Sequence, residues 1–204
     1  MTTKLNVLQV IPKLGYGGAE TGCYDIAHYL AENECGSFIA TSGGELLKFV
    51  KKDKVKIIRL PVHSKNPVLI IFNALVLAIY IIFYKINIVH ARSRAPAWTS
   101  YIASFLTNRV FVTTFHGTYN FKSNLKKFYN SIMLRANLTI AGSNFIFRHI
   151  NENYSQYLHK EKKLRVIFRG INVDYYNSKN ISILKREKLK QEWGLVSSKF
   201  TILL

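Results

Sequence analysis

Acid is scarce in this chain: 11 Asp and Glu stand against 29 Lys and Arg, for a formal charge of +18. Such a surface seeks anions, whether nucleic acid, anionic lipid or a phosphorylated substrate, and charge alone does not choose among them. Cysteine is scarcer still. Cys23 and Cys35 make neither a C-x-x-C pair nor a disulfide framework, so the reduced thiols of a cytosolic protein are expected. Clustered Cys and His are absent, as is H-E-x-x-H, so no metal ligands are assigned. The P-loop pattern G-x-x-x-x-G-K-[ST] and the G-x-S-x-G elbow are also missing, which argues against a P-loop nucleotide hydrolase and an elbow hydrolase. The first apolar run is interrupted by Asn6, Gln9 and Pro12, unlike a secretory signal. The Asn-x-Ser/Thr triplets at Asn137, Asn153 and Asn180 are read as chance.

What is present begins with Val7-Leu-Gln-Val-Ile-Pro-Lys-Leu-Gly-Tyr-Gly-Gly-Ala-Glu20. An apolar run reads as a buried strand, Pro12 and the glycines Gly15, Gly17 and Gly18 break it, and a helix-period segment follows from Ala19. Glycines let a backbone approach a ligand closely, and the free N–H groups and dipole of a helix start favour an anion. A dinucleotide site would need G-x-G-x-x-G and an acid ending the second strand; here Glu20 takes the third glycine's place and the second strand ends Thr41-Ser-Gly-Gly.

Strands are predicted at 6–11, 37–41, 55–60, 86–91, 109–115, 138–141 and 164–168. Helix-like segments are predicted between them at 19–33, 45–51, 67–84, 97–107, 125–135 and 144–153. Strands separated by helices call for parallel pairing and right-handed crossovers, hence an α/β fold with a doubly wound, mainly parallel, Rossmann-like sheet. Ligands in such sheets bind at the carboxyl ends of the strands, so the post-strand loops carry the function. Near Asn177 the pattern turns polar and basic, and an apolar strand begins at 199. The expected organisation is a first domain at 1–177, a linker at 178–198 and the opening strand of a second domain at 199–204. The segment 68–84 holds no charge, with Asn73 its one strongly polar interruption. It falls just short of the ~20 residues that span a bilayer and reads as a buried or membrane-facing helix, with Asn66 as its cap and Pro67 at the first position.

Taken together, Leu8-Gln-Val-Ile-Pro with Gly17-Gly-Ala-Glu20, His90-Ala-Arg-Ser-Arg-Ala-Pro96, Thr113-Thr-Phe-His-Gly-Thr118 and Val166-Ile-Phe-Arg-Gly-Ile-Asn172 resemble the N-terminal domain of family 4 glycosyltransferases. The likeness covers 5–177 and is greatest to bacterial members that build lipopolysaccharide and other surface glycans. It implies the GT-B fold of two facing Rossmann-like domains, configuration-retaining transfer without a metal or other cofactor, and a nucleotide-sugar donor gripped largely by the second domain. It implies that Gly17, Gly18 and Gly117 face the donor's diphosphate and sugar, with His116 toward the transferred sugar. Glu20, Arg92, Arg94, Thr118, Ser143 and Arg169 would lie on the acceptor side. Arg169 stands where that family often has Asn. Read from the residues alone, Glu20 serves equally as a complement to the helix dipole, Arg92 and Arg94 as solvated loop cations, and Ser143 first as a helix cap.

The implied partners are the donor, a glycan or lipid-linked acceptor and an anionic membrane surface, with the protein peripheral at the inner face of the cytoplasmic membrane. Basic stretches with aromatic anchors, as in Asn120-Phe-Lys-Ser-Asn-Leu-Lys-Lys-Phe-Tyr129, suit that surface. Lacking a second domain, the chain is expected to have little or no transferase activity by itself. The competing readings are a basic α/β module for nucleic acid, which lacks any recognition motif, and an integral membrane protein anchored by 68–84.

Overall fold

The computed structural model describes residues 5–119, 122–158, 163–174, 176–195 and 200–202. Contacts divide the chain into two units, Met1–Phe168 and Arg169–Leu204.

In the first unit, β1 (Asn6–Val10), β2 (Gly36–Thr41), β3 (Val55–Arg59), β4 (Ile88–Ala91), β5 (Val110–Phe115), β6 (Leu138–Ala141) and β7 (Lys163–Val166) form one sheet. All pairs are parallel, in the order β3-β2-β1-β4-β5-β6-β7. The crossovers carry α1 (Gly18–Glu32), α2 (Pro67–Phe83), α3 (Arg94–Thr107), α4 (Asn124–Ser131) and α5 (Asn144–Tyr154). The doubly wound α/β sheet expected from the alternation is therefore the fold. Central strands are mostly apolar because helices cover both their faces. At the edges, Lys56 and Arg59 on β3 and Lys163 and Arg165 on β7 are exposed, which keeps further strands from adding.

Leu8, Val10, Leu77, Ile81 and Val89 fill the space between the sheet and α2. On the opposite face Ile11, Leu14, Cys23, Ala27 and Ile39 pack under α1. A third cluster joins Phe111 and Phe115 to Ile132, Met133, Leu134, Ile150 and Tyr154. The helix starts follow the expected chemistry. The Asn66 side chain accepts from the amides of Val68 (2.9 Å) and Leu69 (3.4 Å), with Pro67 at the first helical position.

The helical segments differ most from expectation at three places. The segment 45–51 is a short 3-10 turn, Glu45–Lys48. The segment 125–135 divides into α4 and a 3-10 turn, Ile132–Leu134. Helix α3 begins at Arg94, not at 97, because Pro96 falls in its first turn, where a missing N–H leaves no bond unmade.

The second unit holds a 3-10 turn, Ser178–Asn180, and α6 (Ile183–Glu192), whose cap Ser182 accepts from the Lys185 amide. Helix α6 closes on Gly194 in the left-handed region, at φ +61°. Of the strand expected at 199–204, only 200–202 are among the described residues and they are irregular. Asn120 and Phe121, which open the basic aromatic stretch, lie outside the described residues.

Candidate functional site

The order of the sheet reverses between β1 and β4. Connections leaving the carboxyl ends of these neighbours part to opposite faces, and the crevice between them is where such sheets bind ligands. A polar column runs beneath it. Arg92, one residue past β4 and 4% exposed, donates from Nη1 to Gln9 Oε1 on β1 at 2.7 Å. Gln9 Nε2 in turn donates to the Cys23 carbonyl of α1 at 2.9 Å. The Arg92 guanidinium fits because residue 22 is glycine: a Cβ there would lie 3.1 Å from Nη2. One buried side chain thus ties both sides of the crevice to the first turns of α1. Arg92 is accordingly no solvated loop cation, and the loop expected to hold it with Arg94 is cut short by α3.

His90, on β4, shares a 2.7 Å hydrogen bond between Nε2 and Thr114 Oγ1. Burial, reinforced by the nearby Arg92 guanidinium and His116, lowers its pKa to about 3, so the ring is neutral at physiological pH. His116 itself follows β5 and is half-buried at the same rim. Gly117 has open space where a Cβ would stand, and Thr118 is exposed. Burial pushes the Cys23 thiol up to about 12, which leaves it without nucleophilic character.

The loop after β1 is clamped from the loop after β2. The Leu14 amide donates to the Gly43 carbonyl at 2.6 Å and the Leu46 amide to the Leu14 carbonyl at 2.9 Å. Gly44 makes this approach possible: its φ is +133° and a Cβ would collide with the Leu14 backbone. The clamp presents Gly17 and Gly18, both exposed, at the start of α1. Glu20, in that first turn, folds back so that its carboxylate occupies the space a Cβ on Gly17 would need. Its position in the first turn also complements the helix dipole.

Beyond β4 lies a pocket of about 250 Å3 lined by Lys65, Ser93, Arg94, Lys126, Tyr129 and Asn130, with Ala95 at its wall. Arg94 Nη1 donates to Asn130 Oδ1 at 3.1 Å, and its guanidinium lies 4.3 Å from the Tyr119 ring centroid. Asn130 is fixed from behind by donating to Tyr154 Oη at 2.9 Å. Among the described residues no carboxylate lines this pocket, and it opens where the amides of the first turn of α3 begin, so an anion meets cations and N–H groups together. A larger hollow of about 360 Å3 lies at the opposite end of β2, beside Cys35, Asp53 and Lys56, away from the carboxyl ends of the strands. Ser143 is the N-cap of α5, accepting from the Ile146 amide at 3.2 Å. Arg169 is exposed in the second unit. Among the described residues no group of three His, Cys, Asp or Glu side chains is placed to hold a metal.

Gln9 and His90 escaped the sequence reading. Their signal was a polar residue at an inward strand position close to the carboxyl end, where an apolar residue would otherwise pack.

Several known proteins share this architecture. A glycosyltransferase from Rickettsia africae is 42% identical over 96% of this chain and 51% of its own, with a TM-score of 0.82. Anabaena Alr3699/HepE, solved with UDP and glucose, is 18% identical over 93% of this chain and 50% of its own, with a TM-score of 0.69. The lipopolysaccharide outer core galactosyltransferase WaaB is 11% identical over 82% of this chain and 46% of its own, with a TM-score of 0.58. The chain therefore spans about half the length of these proteins. No curated protein matches it. The sheet is Rossmann-like and matches one half of the GT-B fold. The sequence model for Glycosyltransferase Family 4 matches residues 16–175, and the chain belongs to that family.

Proposed function

We propose that this chain is the acceptor-side half of a glycosyltransferase that moves a hexosyl group from a nucleotide-sugar to a glycan or lipid-linked acceptor in bacterial envelope polysaccharide synthesis. The observation that carries the proposal is the cationic pocket of Lys65, Arg94 and Lys126, without a carboxylate among the described residues, beside the crevice between β1 and β4. It suits an acceptor bearing phosphate or another fixed anion. Support for the donor comes from the related fold of Alr3699/HepE, solved with UDP and glucose.

In the proposed reaction the bond between the sugar's anomeric carbon and the diphosphate oxygen breaks. A new bond forms from the same face to an acceptor hydroxyl oxygen, and that hydroxyl's proton passes to the departing diphosphate. Configuration is retained. The chemistry asks for positioning and for stabilisation of the leaving anion more than for a strong base. The amides at Gly17 and Gly18 meet the diphosphate, and the clamp through Gly44 keeps them in place before substrate arrives. Gly117 leaves room for the sugar, and His116 hydrogen-bonds one of its hydroxyls. His90, neutral, holds Thr114 and adds no charge near the developing cation. Glu20, Thr118 and Ser143 line the acceptor's approach. The remaining donor contacts belong to the whole enzyme.

Differential scanning fluorimetry with a phosphorylated disaccharide, and with the same disaccharide lacking phosphate, tests the acceptor assignment. The phosphorylated form is expected to raise the melting temperature, and an Arg94→Gln/Lys126→Gln variant to lose the response. No response to either sugar, together with salt-sensitive gel shifts of random RNA, would assign the basic surface to nucleic acid instead.

A further inference from the structure

Helix α2 is apolar on every side, yet only one side is covered. Ala74, Leu77 and Ile81 face the sheet, and Asn73 uses its Nδ2 on the Pro61 carbonyl at 3.1 Å. On the other side Val68, Phe72, Leu75, Ile79, Ile82 and Phe83 are 52 to 74% exposed. Their spacing of four, three, four and three residues, closed by the adjacent pair Ile82 and Phe83, draws one continuous stripe down the helix. Helix α3 packs alongside and ends in Phe105 and Leu106, 77% and 55% exposed. Soluble monomers rarely leave so long an apolar face open without a partner for it.

Charge identifies the partner. From Lys54 to Asn151, a run of 98 residues, the chain has no Asp or Glu at all and carries 13 Lys and Arg. Lys65 and Lys85 stand immediately outside the caps of α2, and Arg109 follows the end of α3. A second copy of this face would bring two basic rims together with no carboxylate to relieve them. A lone helix is a ridge, which lipids accommodate and a protein partner must groove to receive. No helix among the described residues is long and apolar enough to cross a membrane.

We propose that the outer face of α2, continued by the end of α3, seats this domain on an anionic bilayer, with Lys65, Lys85 and Arg109 at the headgroups and the stripe among the acyl chains. The inner face of α2 stays on the sheet, so the helix lies along the membrane. Lys65 also lines the cationic pocket, which places that pocket at the membrane end of the domain. The docking surface does not depend on the transfer reaction.

Vesicle flotation of the 204-residue chain tests the proposal. Binding is expected to vesicles of phosphatidylcholine with phosphatidylglycerol and to be weak to phosphatidylcholine alone. Ile79→Ser/Phe83→Ser should lower the partition coefficient about tenfold or more, since about 0.8 kcal/mol is lost per buried CH2. Lys65→Gln and Lys85→Gln should each lower it about fivefold, as about 1 kcal/mol per surface cation implies. Tyr29→Ser on exposed α1 should leave it unchanged. A Phe83→Trp variant keeps the face apolar and should show quenching by brominated acyl chains above that of the unaltered chain, which guards against a serine variant that fails to fold. Failure of the unaltered chain to float, flotation unaffected by the serine pair, or absence of added quenching overturns the proposal. So does a dimer in light scattering that the serine pair dissolves without any vesicle binding, which would assign the face to a second copy.

Discussion

His90 illustrates how one buried side chain can set the acid tolerance of a whole domain. In the unfolded chain the ring takes a proton near 6.5, whereas in the fold it does so only near 3. The folded pKa is depressed, so the stabilising difference is present above pH 6.5 and is lost as pH falls toward 3, at up to about 1.4 kcal/mol per unit. Between pH 7 and pH 5 we expect the unfolding free energy from urea titration to drop by about 2 kcal/mol more in the parent than in His90→Gln. Equal drops in the two proteins would show that the acid-sensitive group lies elsewhere. Arg92 shares this environment and adds to the effect, because its guanidinium opposes a second positive charge on the ring.

At the scale of elements, two glycines in post-strand loops should behave oppositely. Gly44→Ala forces a Cβ into the Leu14 backbone at a φ of +133° and releases the clamp on the β1 loop. A loss of about 3 kcal/mol is expected, read from the urea midpoint. Gly117→Ala meets nothing within 4 Å and should leave stability within about 0.5 kcal/mol of the parent. A stability loss for Gly117→Ala equal to that of Gly44→Ala would contradict this account. Much of the element order was legible beforehand, since apolar runs of strand length alternated with longer helix-period segments bounded by Asn66-Pro67 and the glycine loops. The start of α3 was not legible: Pro96 reads as a helix breaker until its place in the first turn is known. Nor was the column of Gln9, His90 and Arg92, which depends on β1 pairing with β4. That register, Gln9 beside His90, joins residues far apart in sequence and leaves no local trace.

For the molecule as a whole, the surplus of 29 cations over 11 anions means that compaction gathers like charges. Salt screens that repulsion over about 10 Å at 0.1 M. The melting temperature should therefore rise between low and moderate sodium chloride, and scanning calorimetry reads it; a fall would mean that specific ion pairs outweigh the net charge. The pairing of β1 with β4 has a further consequence at birth. Val7 cannot meet Ile88 until some eighty further residues have left the ribosome, which at about 5–20 residues per second takes several seconds. Helix α2 is the last element made in that interval, ending five residues before Ile88, so until β4 follows it out the nascent chain offers both flanks of its greasiest segment to whatever chaperone or lipid stands at the exit tunnel.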